Sequence, residues 1–137
     1  MPQEPDSPNT PSRTEVARRW LTALEQCVRT VDYPAARSLF AENVISFGTA
    51  ATIVQGREAL ERDQWQAVWP YIRDFTFRLE ESHCLGDEPG LCVIVPWDSL
   101  GLRPDGSAFS RPGRATFFLT LRGEEWVAVH SHVSLAP

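Results

Sequence analysis

The apolar positions of this chain recur at helical spacing up to Asp74 and at strand spacing after it. Val16, Trp20, Leu24, Cys27, Val28 and Val31 form one stripe, and Ser12-Arg13-Thr14-Glu15 places a hydroxyl cap three residues before a glutamate. This pattern predicts a helix from about 13 to 30. Asp32 and Pro34 predict a shorter second helix through Ala35, Ala36, Leu39 and Phe40. Val44 to Gly48 reads as a short strand, with Ala51 to Val54 as its hairpin partner. Arg57 to Trp69 then forms a third helix that buries Ala59, Leu60, Trp65, Val68 and Trp69 and stops at Pro70.

Beyond Asp74, Phe75, Phe77, Leu79, Glu81 and His83 alternate with Thr76, Arg78, Glu80, Ser82 and Cys84, which predicts one continuous strand. Gly86 to Gly90 is a turn. Leu91 to Trp97 is almost entirely apolar, as a strand covered on both faces requires. Gly101 to Gly113 reads as a long connection, Arg114 to Arg122 as the next strand, and Arg122-Gly123-Glu124 as a tight turn. The last strand points Trp126, Ala128, His130, His132 and Ser134 one way and Val127, Val129, Ser131, Val133 and Leu135 the other. Bulky groups on both faces place it inside the sheet rather than at an edge. Ala115, Phe117, Leu119 and Leu121 make a wholly apolar face, so that face meets the helices. The expected fold is α+β: three N-terminal helices packed on a strongly bent antiparallel sheet that forms a cone, open at one end. Prolines 2, 5, 8 and 11 make residues 1–12 an extended arm, so the domain is expected over 13–137.

Composition narrows the partners. Hydrophobic content of 42%, with five Trp and seven Phe, supports a packed domain. A net charge of −5, with no basic cluster, argues against nucleic acid and against an anionic membrane. No stretch approaches the roughly 18 apolar residues of a membrane span, and no leader pattern opens the chain. Cys27, Cys84 and Cys92 are scattered, without a CxxC, and read as thiols in a reducing cytoplasm. His130 and His132 lack a third ligand at matching spacing, so neither metal nor cofactor is expected.

Four stretches carry a resemblance: Leu39-Phe40-Ala41-Glu42-Asn43-Val44, Gly56-Arg57-Glu58-Ala59-Leu60, Arg114-Ala115-Thr116-Phe117, and Trp126 through Ser134. In this order they resemble the nuclear-transport-factor-2-like superfamily, and within it the SnoaL-like, ketosteroid-isomerase-like group. The closing stretch is also similar to the association domain of calcium/calmodulin-dependent kinase, a member that assembles and does not catalyse. The superfamily hosts isomerases, dehydratases, cyclases, epoxide hydrolases and binding modules, so the resemblance implies a fold and a range of functions. Ketosteroid isomerases need a carboxylate base, which falls here at Phe47 or Gly48, and a tyrosine donor, which falls at Trp20. Neither can serve that role. For an epoxide-hydrolase-like set, Asp98 and Arg114 are the obvious ingredients, and Asp98 is expected to face away from the cavity. The arginines that point inward in the association domain fall at Trp97, Phe117 and Val133.

With no catalytic residue assigned, the candidates are binding surfaces. Trp20, Phe47, Trp65, Trp69, Val95, Trp97, Phe117, Ser131 and Val133 are expected to line the cone and to hold a small apolar or aromatic molecule. Trp97 is expected at its mouth, less tightly packed than Trp126. Thr116, Phe118, Trp126, His130 and His132 are expected on the outer face, as a homodimer interface. Three functions stay open: a binding protein for a small hydrophobic molecule, an isomerase, dehydratase or cyclase on such a substrate, and a dimeric assembly module.

Overall fold

A computed structural model describes residues 11–86 and 90–137. Most of the expected arm, and Asp87, Glu88 and Pro89 of the expected turn, lie outside the described residues. Helix α1 spans Arg13–Thr30, capped by the Ser12 hydroxyl, which accepts from the Glu15 N–H at 3.1 Å. It buries Val16, Ala17, Trp20, Leu21, Leu24, Cys27 and Val28, the predicted stripe extended by the residues beside it. The helix ends on Val31 in the left-handed region (φ 54°), an uncommon conformation for a β-branched residue. Asp32 caps α2 (Tyr33–Arg37) through the Ala35 N–H at 3.1 Å. This helix is shorter than its sequence suggests, because Phe40 already belongs to strand β1 (Phe40–Phe47).

Strand β2 (Val54–Gln55) pairs antiparallel with β1. The third helical segment begins as α3 (Arg57–Leu60), passes through a π-helical turn at Glu61–Trp65, resumes as α4 (Gln66–Val68) and closes with a 3-10 turn at Trp69–Tyr71. The strand expected over 75–84 is broken. Strand β3 (Ile72–Phe77) and strand β4 (His83–Leu85) are separated by a 3-10 turn at Leu79–Glu81. Both pair with the same side of β5 (Gly90–Leu102), β3 near Trp97 to Gly101 and β4 near Cys92 to Ile94. On its other side β5 meets β7 (Gly113–Arg122) and the short β6 (Ala108–Ser110), which lies within the expected long connection.

The sheet order is β2-β1-β8-β7-β5-β3, so β8 (Glu125–Leu135) is an interior strand, as its two bulky faces predict. Its pairing with β1 is parallel while that with β7 is antiparallel. The sheet is therefore mixed rather than purely antiparallel. The α+β class holds, with the helices covering one face of a bent, unclosed sheet. Among the described residues no helix is long and apolar enough to cross a membrane.

Two expectations about facing are corrected. Phe118 pairs with His130 and Leu119 with Ala128, which leaves Val129 unpaired. This bulge shifts the alternation by one residue. Ala128 turns into the core, Trp126 packs against that core, and Val127, opposite Thr120, leaves the core face. Trp126 is thus not an outer-face residue. Trp97 is likewise no mouth residue. Strand β5 continues past it to Leu102, and its indole is 1% exposed, seated over Gly113, where an added Cβ would lie 2.1 Å from the ring.

Aromatic rings pack closely against one another in the core. Phe117→Ala, which removes a ring packed against Trp20 at 4.8 Å and Phe77 at 5.9 Å, is expected to lower unfolding free energy by about 3–5 kcal/mol. Ser12→Ala, which removes a single exposed cap, should lower it by about 1 kcal/mol. Urea unfolding of both variants checks the ratio; equal losses would contradict the packing described.

Candidate ligand-binding site

Between the helices and the concave face of the sheet lies a cavity of about 60 Å³. One water needs roughly 10–15 Å³ of such room and a benzene ring occupies a cavity of roughly 150 Å³, so the space has the size of a few waters or a short aliphatic group. Its walls are aromatic and mutually braced. Trp65 and Trp69 stack at 4.9 Å, Tyr33 stacks on Trp69 at 5.5 Å, Phe40 meets Trp65 at 5.0 Å, and Phe75 meets Trp97 at 5.3 Å. Such ring pairs hold their geometry better than aliphatic neighbours of equal area.

The polar groups of the lining are Thr49, Gln64, Arg111 and Ser131. The π-helical turn carries Gln64 and Trp65 inward together, and both are buried. The Gln64 amide oxygen accepts from the Ala50 and Ala51 N–H groups at 2.8 and 3.0 Å, and its nitrogen donates to Thr49 Oγ1 at 2.9 Å. Gly48 makes this possible, because a Cβ there would lie 2.3 Å from Gln64 Oε1. Arg111 is tied on the main chain, its N–H donating to the Ser99 carbonyl at 2.8 Å and its own carbonyl accepting from Ser99 Oγ at 2.7 Å. Its guanidinium donates to Thr49 Oγ1 at 3.1 Å and lies 5.5 Å from the centre of the Trp97 ring. Burial pushes the Arg111 pKa down, since desolvation disfavours the cation. Ser46 and Ser131 share a buried hydrogen bond of 2.6 Å. The Trp97 indole N–H is buried without a partner.

Of the residues expected to line the cone, Phe47, Trp65, Trp69, Trp97, Phe117, Ser131 and Val133 border this cavity. Trp20 does not: its indole donates to the Leu39 carbonyl at 3.2 Å and its ring packs between Phe40 and Phe117. Val95 is core, 1% exposed. Phe47 belongs to both faces. It touches the rim, but it is in register with His132 and its ring packs edge-on against His130 and His132 at 5.7 and 5.2 Å. Its neighbour Ser46 points inward instead. Among the described residues no carboxylate, imidazole or thiol borders the cavity. Asp98 is engaged with Arg78 at 2.7 and 2.8 Å, which holds its carboxyl below the usual range, while Arg114 reaches Ser134. The two never meet the cavity.

Gln64, Thr49, Arg111 and Ser46 escaped the sequence reading. Gln64 had a signal, lying four residues after Leu60 and four before Val68 on the buried stripe. Arg111 had none, because the hairpin that carries it inward reads as a loose connection.

On the outer face, register aligns two rows across the sheet. One is Ile45, His130, Phe118, Cys92 and Leu85; the other is Phe47, His132, Thr116, Ile94 and His83. Ile45, Phe47, Ile94, Phe118 and Leu85 are exposed, and His130 Nδ1–H donates to the Ile45 carbonyl at 2.7 Å. Among the described residues no three His, Cys, Asp or Glu gather into a metal-binding group.

A family model described as a SnoaL-like domain matches residues 17–129. No curated protein matches the chain by sequence. A ketosteroid isomerase-like protein from Erwinia carotovora atroseptica SCRI1043 superposes with a TM-score of 0.78 at 13% identity, covering 93% of this chain and 100% of the other. A putative dehydratase of the NTF2-like family from Streptomyces avermitilis gives 0.77 at 16% identity, covering 91% and 97%. A putative calcium/calmodulin-dependent protein kinase II association domain from Xanthomonas campestris gives 0.68 at 19%, covering 99% and 96%. At such identities the likeness is one of fold.

Gln64 is the polar hinge of this site. Gln64→Leu should leave two main-chain N–H groups unpaired and lower stability by about 2 kcal/mol, whereas Gln64→Glu keeps both acceptor contacts and should lose less. Thermal or urea unfolding of the pair distinguishes lost hydrogen bonds from lost volume.

Proposed function

This chain belongs to the SnoaL-like family, and from that premise we propose that it binds a small apolar or aromatic molecule in the cavity walled by Trp65, Trp69, Trp97, Phe117 and Val133. The observation that carries the reading is a partly open aromatic space with a few polar groups gathered in its lining, the usual make-up of a small-molecule site. No reaction is assigned. An isomerase, dehydratase or cyclase needs a group that moves a proton, and among the described residues the lining holds no carboxylate, imidazole or thiol for that role. A single domain over 13–137 and a cytoplasmic location complete the proposal; the free thiols of Cys27, Cys84 and Cys92 fit a reducing compartment.

A second reading, compatible with the first, is a homodimer formed through the outer sheet face. The two rows of exposed apolar and histidine side chains favour it, since Thr116, Phe118, His130 and His132 lie side by side with Ile45, Phe47 and Ile94. A contiguous apolar patch of this kind is the usual mark of a partner surface.

Toluene titrated to its aqueous solubility should shift the methyl resonances of Leu60, Val68 and Val133 in NMR spectra and quench Trp emission. Unmoved methyls at saturation would show that an apolar body alone does not fill the cavity, and methyls unmoved by isobutyrate as well would sink the binding reading. Light scattering should report a dimer at micromolar concentration, and Phe118→Glu a monomer with unchanged circular dichroism. A monomeric wild-type protein would remove the dimer.

A further inference from the structure

We infer that the molecule bound in the cavity carries a carboxylate, held by the Arg111 guanidinium. The inference rests on the binding reading above and adds the chemical class of the ligand. The Gln64 amide oxygen accepts from Ala50 and Ala51 and one of its two N–H donors reaches Thr49. Arg111 has more to spare: of the five N–H donors a guanidinium carries, one reaches Thr49. The ion pairs among the described residues engage other arginines, Arg19, Arg37, Arg62 and Arg78. The Ser46–Ser131 contact uses one hydroxyl proton between two oxygens, so the second hydroxyl proton is also available.

What remains is a set of donors in an apolar surround, with one of them charged. A partly buried cation lacking a counter-charge is destabilising by itself. A hydrocarbon would leave the charge unanswered, and a cationic ligand would be repelled. A neutral carbonyl would accept a hydrogen bond but leave the charge. A carboxylate answers the charge, and its planar pair of oxygens matches the guanidinium fork. The aromatic walls then take the apolar body. The cavity volume of about 60 Å³, less than half of the roughly 150 Å³ that holds a benzene ring, points to a short-chain acid.

Two matched pairs of probes test this: acetate against acetamide, and isobutyrate against isobutyramide. Calorimetric titration should show each carboxylate binding at least tenfold more tightly than its amide. The Trp97 indole resonance, identified by its loss in Trp97→Phe, should move on carboxylate binding. Arg111→Gln should bring the carboxylate-to-amide ratio close to one. Should that variant not fold, the wild-type ratio decides, together with a loss of carboxylate affinity in 0.5 M salt that the amides do not share. Amides that bind as tightly as carboxylates would overturn this inference and leave the binding reading standing. Probes that fail to bind in either form would overturn both.

Discussion

The interior of this protein is built around Trp97 lying over Gly113. These residues face each other across β5 and β7, and the absence of a side chain at 113 lets the indole settle onto the neighbouring strand. Any Cβ there would meet both the ring, at 2.1 Å, and the Ser134 carbonyl, at 2.4 Å. The contact brings the widest side chain of the concave face deep into the cone, where Phe75 meets it from β3 and Arg111 from the hairpin. It also explains why the cavity is small: much of the cone is filled by protein. The same burial leaves the indole N–H without a partner, so packing and polarity are set by one side chain.

The lining's polar groups depend on two local departures from regular structure. A π-helical turn at Glu61–Trp65 presents Gln64 and Trp65 to the interior together, where an undisturbed helix would separate neighbouring residues by about 100°. Gly48 leaves room for the Gln64 amide, which in turn fixes the Thr49–Ala51 turn. Thr49 then accepts from both Gln64 and Arg111. Polar residues from three distant parts of the chain thereby converge, and each is held by another. Donors held in this way are oriented in advance, which would lower the entropy lost if a ligand bound.

Strand β8 joins the two surfaces. Its Ser131 and Val133 look into the cone while His130 and His132 look out, so a partner on the outer face and a ligand inside would press on the same strand. The bulge at Val129 separates this stretch from Trp126 and Ala128, which serve the core. Below the bulge the strand is structural on its inner side. Above it, both faces carry the candidate surfaces.

Periodicity by itself determined the class of the fold. The stripe of α1, the cap at Ser12, the apolar run in β5 and the interior position of β8 are local consequences of side-chain spacing, and each is legible in the sequence. So was most of the aromatic wall, because Trp65, Trp69 and Phe117 fall on faces that alternation or helical spacing assigns. Tertiary structure alone decided the rest. A bulge costs no residue in the pattern, so Trp126 reads as outer until pairing with β7 shows otherwise. The parallel pairing of β1 with β8 joins segments some 85 residues apart, and no local rule specifies it. Trp97 reads as a strand end because the Gly and Pro residues after it resemble a loop, whereas β5 runs on to Leu102. Arg111 enters the cavity only because that hairpin folds back. Short-range spacing fixes which way a side chain points, but convergence of distant polar groups is set by long-range pairing and by the room that neighbouring side chains leave.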